Sequence, residues 1–145
     1  MKIEKTNLEL LNIFSTCSSY LEKNKEADTK FKKCVESISK QCAPLKEAYD
    51  IEVEDIRLDN CLTDDTSRKK ILRNEKGGYE FNVDGTKAVG EQVKKLLEKK
   101  VIFHTRILEG NNDFVDTLTE EEKRFFNGLV FDEIDLDDFE KQFKD

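Results

Sequence analysis

Apolar side chains recur every three or four residues from Phe31 through Val35, Ile38, Cys42, Leu45, Tyr49 and Val53 to Ile56. That spacing keeps one side of a continuous helix apolar for about seven turns. A helix of that length cannot bury its stripe against itself. It needs an antiparallel neighbour in the same chain or a copy in another chain. The first candidate neighbour is residues 8–21, with Leu8, Leu11, Phe14, Cys17 and Leu21 on one face, widened by Leu10, Ile13 and Tyr20. It covers only about half of the ladder, because a helix rises about 1.5 Å per residue. The other half, Leu45 to Ile56, falls to residues 86–97, to a sheet or to another subunit. Glu52, at a position the ladder would continue through, weakens a pure coiled-coil reading.

Local signals divide the rest of the chain. Residues 3–6 read as an extended lead-in, with Asn7 as the N-cap of a helix to about Lys23. Asn24–Ala27 is a turn, and Asp28 caps the long helix. Pro44 lies inside the ladder, where proline removes a backbone hydrogen bond and crowds the preceding turn. Two readings compete: a kinked single helix, or a break near Cys42 with a restart at Pro44. The ladder keeps its phase from Cys42 to Leu45 and Tyr49, which favours the kink. The helix ends near Asn60–Asp65.

Ile71–Arg73 and Tyr79–Val83, separated by Asn74-Glu75-Lys76-Gly77-Gly78, read as a β-hairpin with one buried face carrying Tyr79, Phe81 and Val83. A helix from Asp84 to about Glu98 turns Val89, Val93, Leu96 and Leu97 inward. The β-branched run Val101–Leu108 is a third strand. Thr119 and Glu122 have capping-box spacing ahead of a helix over Glu120–Asn127, stopped by Gly128. Leu129–Ile134 reads as extended, and Leu136–Phe143 as a last acidic turn or two. No internal repeat or low-complexity segment interrupts this order.

Together these elements predict a single α+β domain over residues 1–145, mostly α. Two long antiparallel helices occupy residues 1–65. A small antiparallel β-sheet is built from the hairpin plus the Val101 strand, and short C-terminal helices follow. Residues 66–131 hold the hairpin, a helix, the strand and a short helix, and residues 132–145 form an acidic tail.

Composition sharpens the picture. The charged fraction is 39% and the apolar fraction 37%, as expected where much of every helix faces water. The net charge of −7 argues against a nonspecific DNA or membrane-surface binder. Residues 132–145 carry seven acids against Lys141 and Lys144, a net −5, so the other residues together hold only −2. Cys17, Cys34, Cys42 and Cys61 form no CxxC pair. Cys34 and Cys42 lie about 12 Å apart by helical rise, too far for a disulfide, so reduced thiols are expected. The N-terminal residues lack the apolar core of a signal peptide, and no stretch is long enough to cross a membrane as a helix.

Candidate chemistry is sparse. His104 is the single histidine and no motif ties a nucleophile to it. Walker, GxSxG and GxGxxG patterns are absent. An EF-hand loop counted from Asp132 puts Asp137 where glycine belongs and Phe143 where glutamate belongs, so no metal site is expected. No cofactor is expected either. The most basic window, Arg68-Lys69-Lys70 through Arg73 and Lys76, reads as an edge hairpin guarded by lysines and not as a nucleic-acid site. In the tail, Phe131, Ile134, Leu136, Phe139 and Phe143 interleave with Asp135, Asp137 and Asp138. Such a set can dock a basic-rimmed groove, or it can pack on the chain's own core.

The order of elements resembles a family of small phage-encoded proteins of unknown function, found in tailed phages of bacteria. The residues that carry the likeness are Asn7–Leu11 opening the first helix and the long charged helix from Phe31. They also include Val101–Leu108 after Leu96-Leu97-Glu98, and Leu118–Glu122 leading to Phe125 and Phe131-Asp132-Glu133. The likeness spans most of the chain. It implies a phage origin and no known enzymatic chemistry, and it transfers no active-site residue. The expected function is non-enzymatic binding of a phage or host protein, as a virion or assembly component or a host-interaction factor. Its place would be the virion or the cytoplasm of an infected bacterial host. Homo-oligomerisation fits the ladder, and neither nucleic acid nor membrane is a direct partner. The alternative is an acidic anti-defence inhibitor that blocks a basic nucleic-acid-binding groove of a host protein.

Overall fold

The computed structural model describes residues 2–66, 68–108 and 118–131. Their elements, in chain order, are β1 (Lys2–Thr6), α1 (Asn7–Lys23), α2 (Lys30–Asn60), α3 (Val83–Glu98), β2 (Lys100–His104) and α4 (Glu120–Phe126). The fold is α+β and mostly α, with α1 and α2 packed as a helical hairpin.

Each long helix is capped one residue away from the expected position. Thr6, not Asn7, caps α1: its hydroxyl accepts from the Glu9 N–H, and the Glu9 carboxylate accepts from the Thr6 N–H. Asn7 is drawn elsewhere. Its side-chain N–H donates 2.9 Å to the Leu96 carbonyl and its backbone N–H donates 2.9 Å to that of Lys99, tying the start of α1 to the end of α3. Thr29, not Asp28, caps α2 through the Lys32 N–H. α2 then runs unbroken through Pro44 to Asn60.

The core is centred on α1 and the first half of α2. Leu10, Ile13, Cys17 and Tyr20 of α1 meet Phe31, Cys34, Val35, Ile38 and Cys42 of α2, closed by Phe103, Leu118, Phe126, Leu129, Val130 and Phe131. Tyr20, Phe31 and Phe126 stack edge-on with centroids 5.1–5.9 Å apart, so one aromatic cluster joins α1, α2 and α4. The buried face of α1 is rotated from the expected one. Leu8 is 53% exposed, and Leu10 and Ile13 lead inward.

The sheet differs in membership from the sequence reading. It pairs β1 with β2, antiparallel, with Lys2 opposite His104 and Thr6 opposite Lys100. The extended lead-in takes the place expected for the hairpin, because its Ile3 lies opposite Phe103 and packs against the core. At His104, α2 reaches β2. The Gln41 amide donates 2.7 Å to the His104 carbonyl and accepts 2.9 Å from its N–H. This pair of hydrogen bonds occupies a backbone position that a further strand would use.

Residues 61–66 and 68–82 form the hairpin outside the β1–β2 sheet, held by isolated bridges at Thr63–Ile71 and Arg73–Tyr79. Three backbone bonds close a ring: Leu62 donates to Glu80, Glu80 to Leu72 and Leu72 to Leu62, at 2.8–3.1 Å. Gly77 alone of the glycine pair takes a left-handed φ, 82°. Val83 leaves the hairpin and begins α3 instead, 85% exposed. Gly85 sits against the end of α2. A Cβ there would come within 2.6 Å of the Asn60 carbonyl oxygen, so this junction needs glycine. α3 buries Leu96 and half-buries Val89, Val93 and Leu97.

Candidate protein-interaction surface

Of the eight tail residues proposed for partner binding, Phe131 is described. It is fully buried and bridges backbone to Leu108 and Asn127, so its ring belongs to the core and is not a docking anchor. Ile134, Asp135, Leu136, Asp137, Asp138, Phe139 and Phe143 lie outside the described residues.

The ladder is divided by burial. Phe31, Val35, Ile38 and Cys42 are buried, whereas Leu45, Tyr49, Val53 and Ile56 are half-covered. α3 and the hairpin provide that partial cover. Lys99 pairs with Glu52 at 3.6 Å, and the Tyr79 hydroxyl donates to the Glu54 carboxylate. That bond favours the protonated phenol and pushes the Tyr79 pKa up. Arg57 and Arg73 lie 5.7 Å and 4.9 Å from the centroid of the same ring.

The opposite face of this half of α2 carries a feature that the ladder argument missed. Ile51 is 56% exposed and Leu58 38% exposed. They are seven residues apart, two turns, and so share one face. Exposed Pro44 and Ala48 extend the stripe, and Glu47, Glu54, Asp55 and Asp59 flank it. Residues 47–59 hold six carboxylates against one cation, Arg57. The signal was legible as a second seven-residue repeat (44, 51, 58), but the stronger ladder masked it. Beside it, the hairpin is basic. The excess lies in residues 68–76, where Arg68, Lys69, Lys70, Arg73 and Lys76 stand against Glu75 around the exposed Leu72, while Asp64, Asp65 and Glu80 lie nearer its base. Its base is pinned by the Asp64 carboxylate, which accepts from the Thr66 hydroxyl at 2.6 Å and from the Thr66 and Lys70 N–H groups. The Thr66 hydroxyl bond is the main reason that the Asp64 pKa falls below its ordinary value.

A groove of about 840 Å³ opens between β1, α1 and α4, over Ile13, Phe125 and Leu129. Its rim mixes charges, and the Lys5–Glu9 pair spans 3.7 Å while Glu9 is already engaged in the α1 cap. His104 is exposed, its backbone held by Gln41. All four cysteines are free, with burial pushing the Cys17 thiol up to about 12 and that of Cys42 to about 11. Among the described residues, no group of three or more His, Cys, Asp or Glu is placed to hold a metal ion, and no helix is long and apolar enough to cross a membrane.

Comparison with family models, with curated proteins and with solved structures finds no match to this chain.

Proposed function

We propose that this chain is a non-enzymatic phage protein that works by binding another protein, as a virion or assembly component or as a host-interaction factor. It acts in the virion or in the cytoplasm of the infected bacterial host, and its contacts require no cofactor. The observation that carries this reading is the stripe of Ile51 and Leu58 along the outward face of α2. Two large aliphatic side chains held in water on a rigid helix, with acids alongside, make an apolar anchor with a charged rim. A groove or segment with basic edges is the complementary surface.

The test compares a tagged wild-type chain with the Ile51→Lys/Leu58→Lys variant, each isolated from infected cells. A companion of different mass, recovered in constant stoichiometry with the wild type and lost from the variant, is the expected result. Identical companions with both chains, or none with either, overturn the reading.

A further inference from the structure

We propose that the stripe also takes a second copy of this chain, with the basic hairpin of one molecule seated on the acidic, apolar face of α2 in the next. The inference rests on reading the stripe as a protein-binding face and adds its occupant. Charge complementarity within one sequence carries it. Ile51 and Leu58 are bordered by Glu47, Asp55 and Asp59, whereas the segment around Leu72, residues 68–76, holds five cations against Glu75, with Glu80 across the bridge from Leu72. An exposed leucine on a segment with an excess of cations matches exposed aliphatics between carboxylates in both apolar content and sign.

The hairpin is built as a preformed probe. The closed ring of backbone bonds through Leu62, Leu72 and Glu80 fixes its three segments, and Asp64 fixes the turn at its base. Little conformational freedom remains to be lost on docking. It does not cover its own molecule's stripe. Tyr79 anchors it to Glu54 and Arg57, along the flank of α2, and Ile51 remains 56% exposed. A direct α2-on-α2 contact is disfavoured, because it would set Glu47, Asp55 and Asp59 of one copy against the same carboxylates of the other. Hairpin and stripe are different surfaces, so the contact is heterologous. Each docking event leaves one free hairpin and one free stripe, and copies add head to tail into a ring or a filament.

Purified protein alone provides the test, by light scattering under reducing conditions over a concentration series at low and high salt. The expected mass rises above the 16.9 kDa of one chain with concentration at low salt and returns toward it at high salt. The variants Ile51→Lys/Leu58→Lys and Leu72→Asp/Lys76→Glu each remain at 16.9 kDa, yet an equimolar mixture of the two forms a two-chain species. That species joins the intact hairpin of the first variant to the intact stripe of the second and cannot grow further. Circular dichroism confirms the folding of each, and Asp55→Lys with Lys76→Glu serves as a milder pair. A wild type that stays at 16.9 kDa throughout, variants that assemble like wild type, or a mixture that stays monomeric overturns the proposal. Such a failure leaves the companion-protein test intact, since that test reads a partner of different mass.

Discussion

Burial decides what the thiols can do. Cys17 and Cys42 are fully enclosed, and desolvation raises both from an ordinary value of 9.0, to about 12 and about 11. The folded state therefore keeps their protons to a higher pH than the unfolded state does. The associated stability is fully present below pH 9 and is lost as the pH rises through the folded values. Urea midpoints are expected to fall between pH 9 and 12, and Cys17→Ala is expected to flatten that fall; equal slopes for the two proteins would refute the assignment. At the same scale, the sequence located the helix starts but not the capping atoms. Asn7 and Asp28 are as competent as Thr6 and Thr29 to cap a helix. What separates Asn7 from Thr6 is a bond to the Leu96 carbonyl, 89 residues away, and spacing along a helix carries no information about that. The buried faces were partly legible: the ladder identified Phe31, Val35, Ile38 and Cys42 correctly, and Leu10, Ile13 and Tyr20, read as widening the face of α1, are its buried centre, whereas Leu8 lies outside it.

Elements form where periodicity and turn chemistry agree, and α2 is the clearest case. Its ladder keeps phase across Pro44, and the helix is continuous there. Pro44 is exposed and supplies no N–H to the Lys40 carbonyl. Replacing it by alanine restores that bond. Pro44→Ala is expected to raise stability by about 1–3 kcal/mol, seen as a higher urea midpoint at unchanged slope. A loss of stability would mean that proline at this position is required to pack α2. The hairpin was legible as a turn between extended segments, and its bridges confirm it. Its separation from the sheet was not legible, because alternation predicts a strand without naming its neighbour. Phe131 shows the same limit. An aromatic residue among acids reads equally as an anchor or as core, and its burial between β2's continuation and α4 resolves it.

At the scale of the whole molecule, the fold is a helical hairpin closed at one end by contacts between distant segments. β1 pairs with β2, and Asn7 bonds to the end of α3. Removing residues 2–5 takes away the strand that covers Phe103 with Ile3. The deletion is expected to abolish hydrogen-exchange protection at residues 100–104 and to lower it in the first turn of α1, while the middle of α2 stays protected. Equal protection in both proteins would show that β2 is held by Gln41 and the core alone. This long-range closure also sets a timetable for the newborn chain. Lys2 waits for His104, so about 100 residues must be translated before the first strand meets its partner. At about 5–20 residues per second, that delay is on the order of 5–20 s. In that interval α1 and α2 can already have paired on the ribosome, while the edge of β1 lies open to any chaperone or neighbouring nascent chain that offers it a strand.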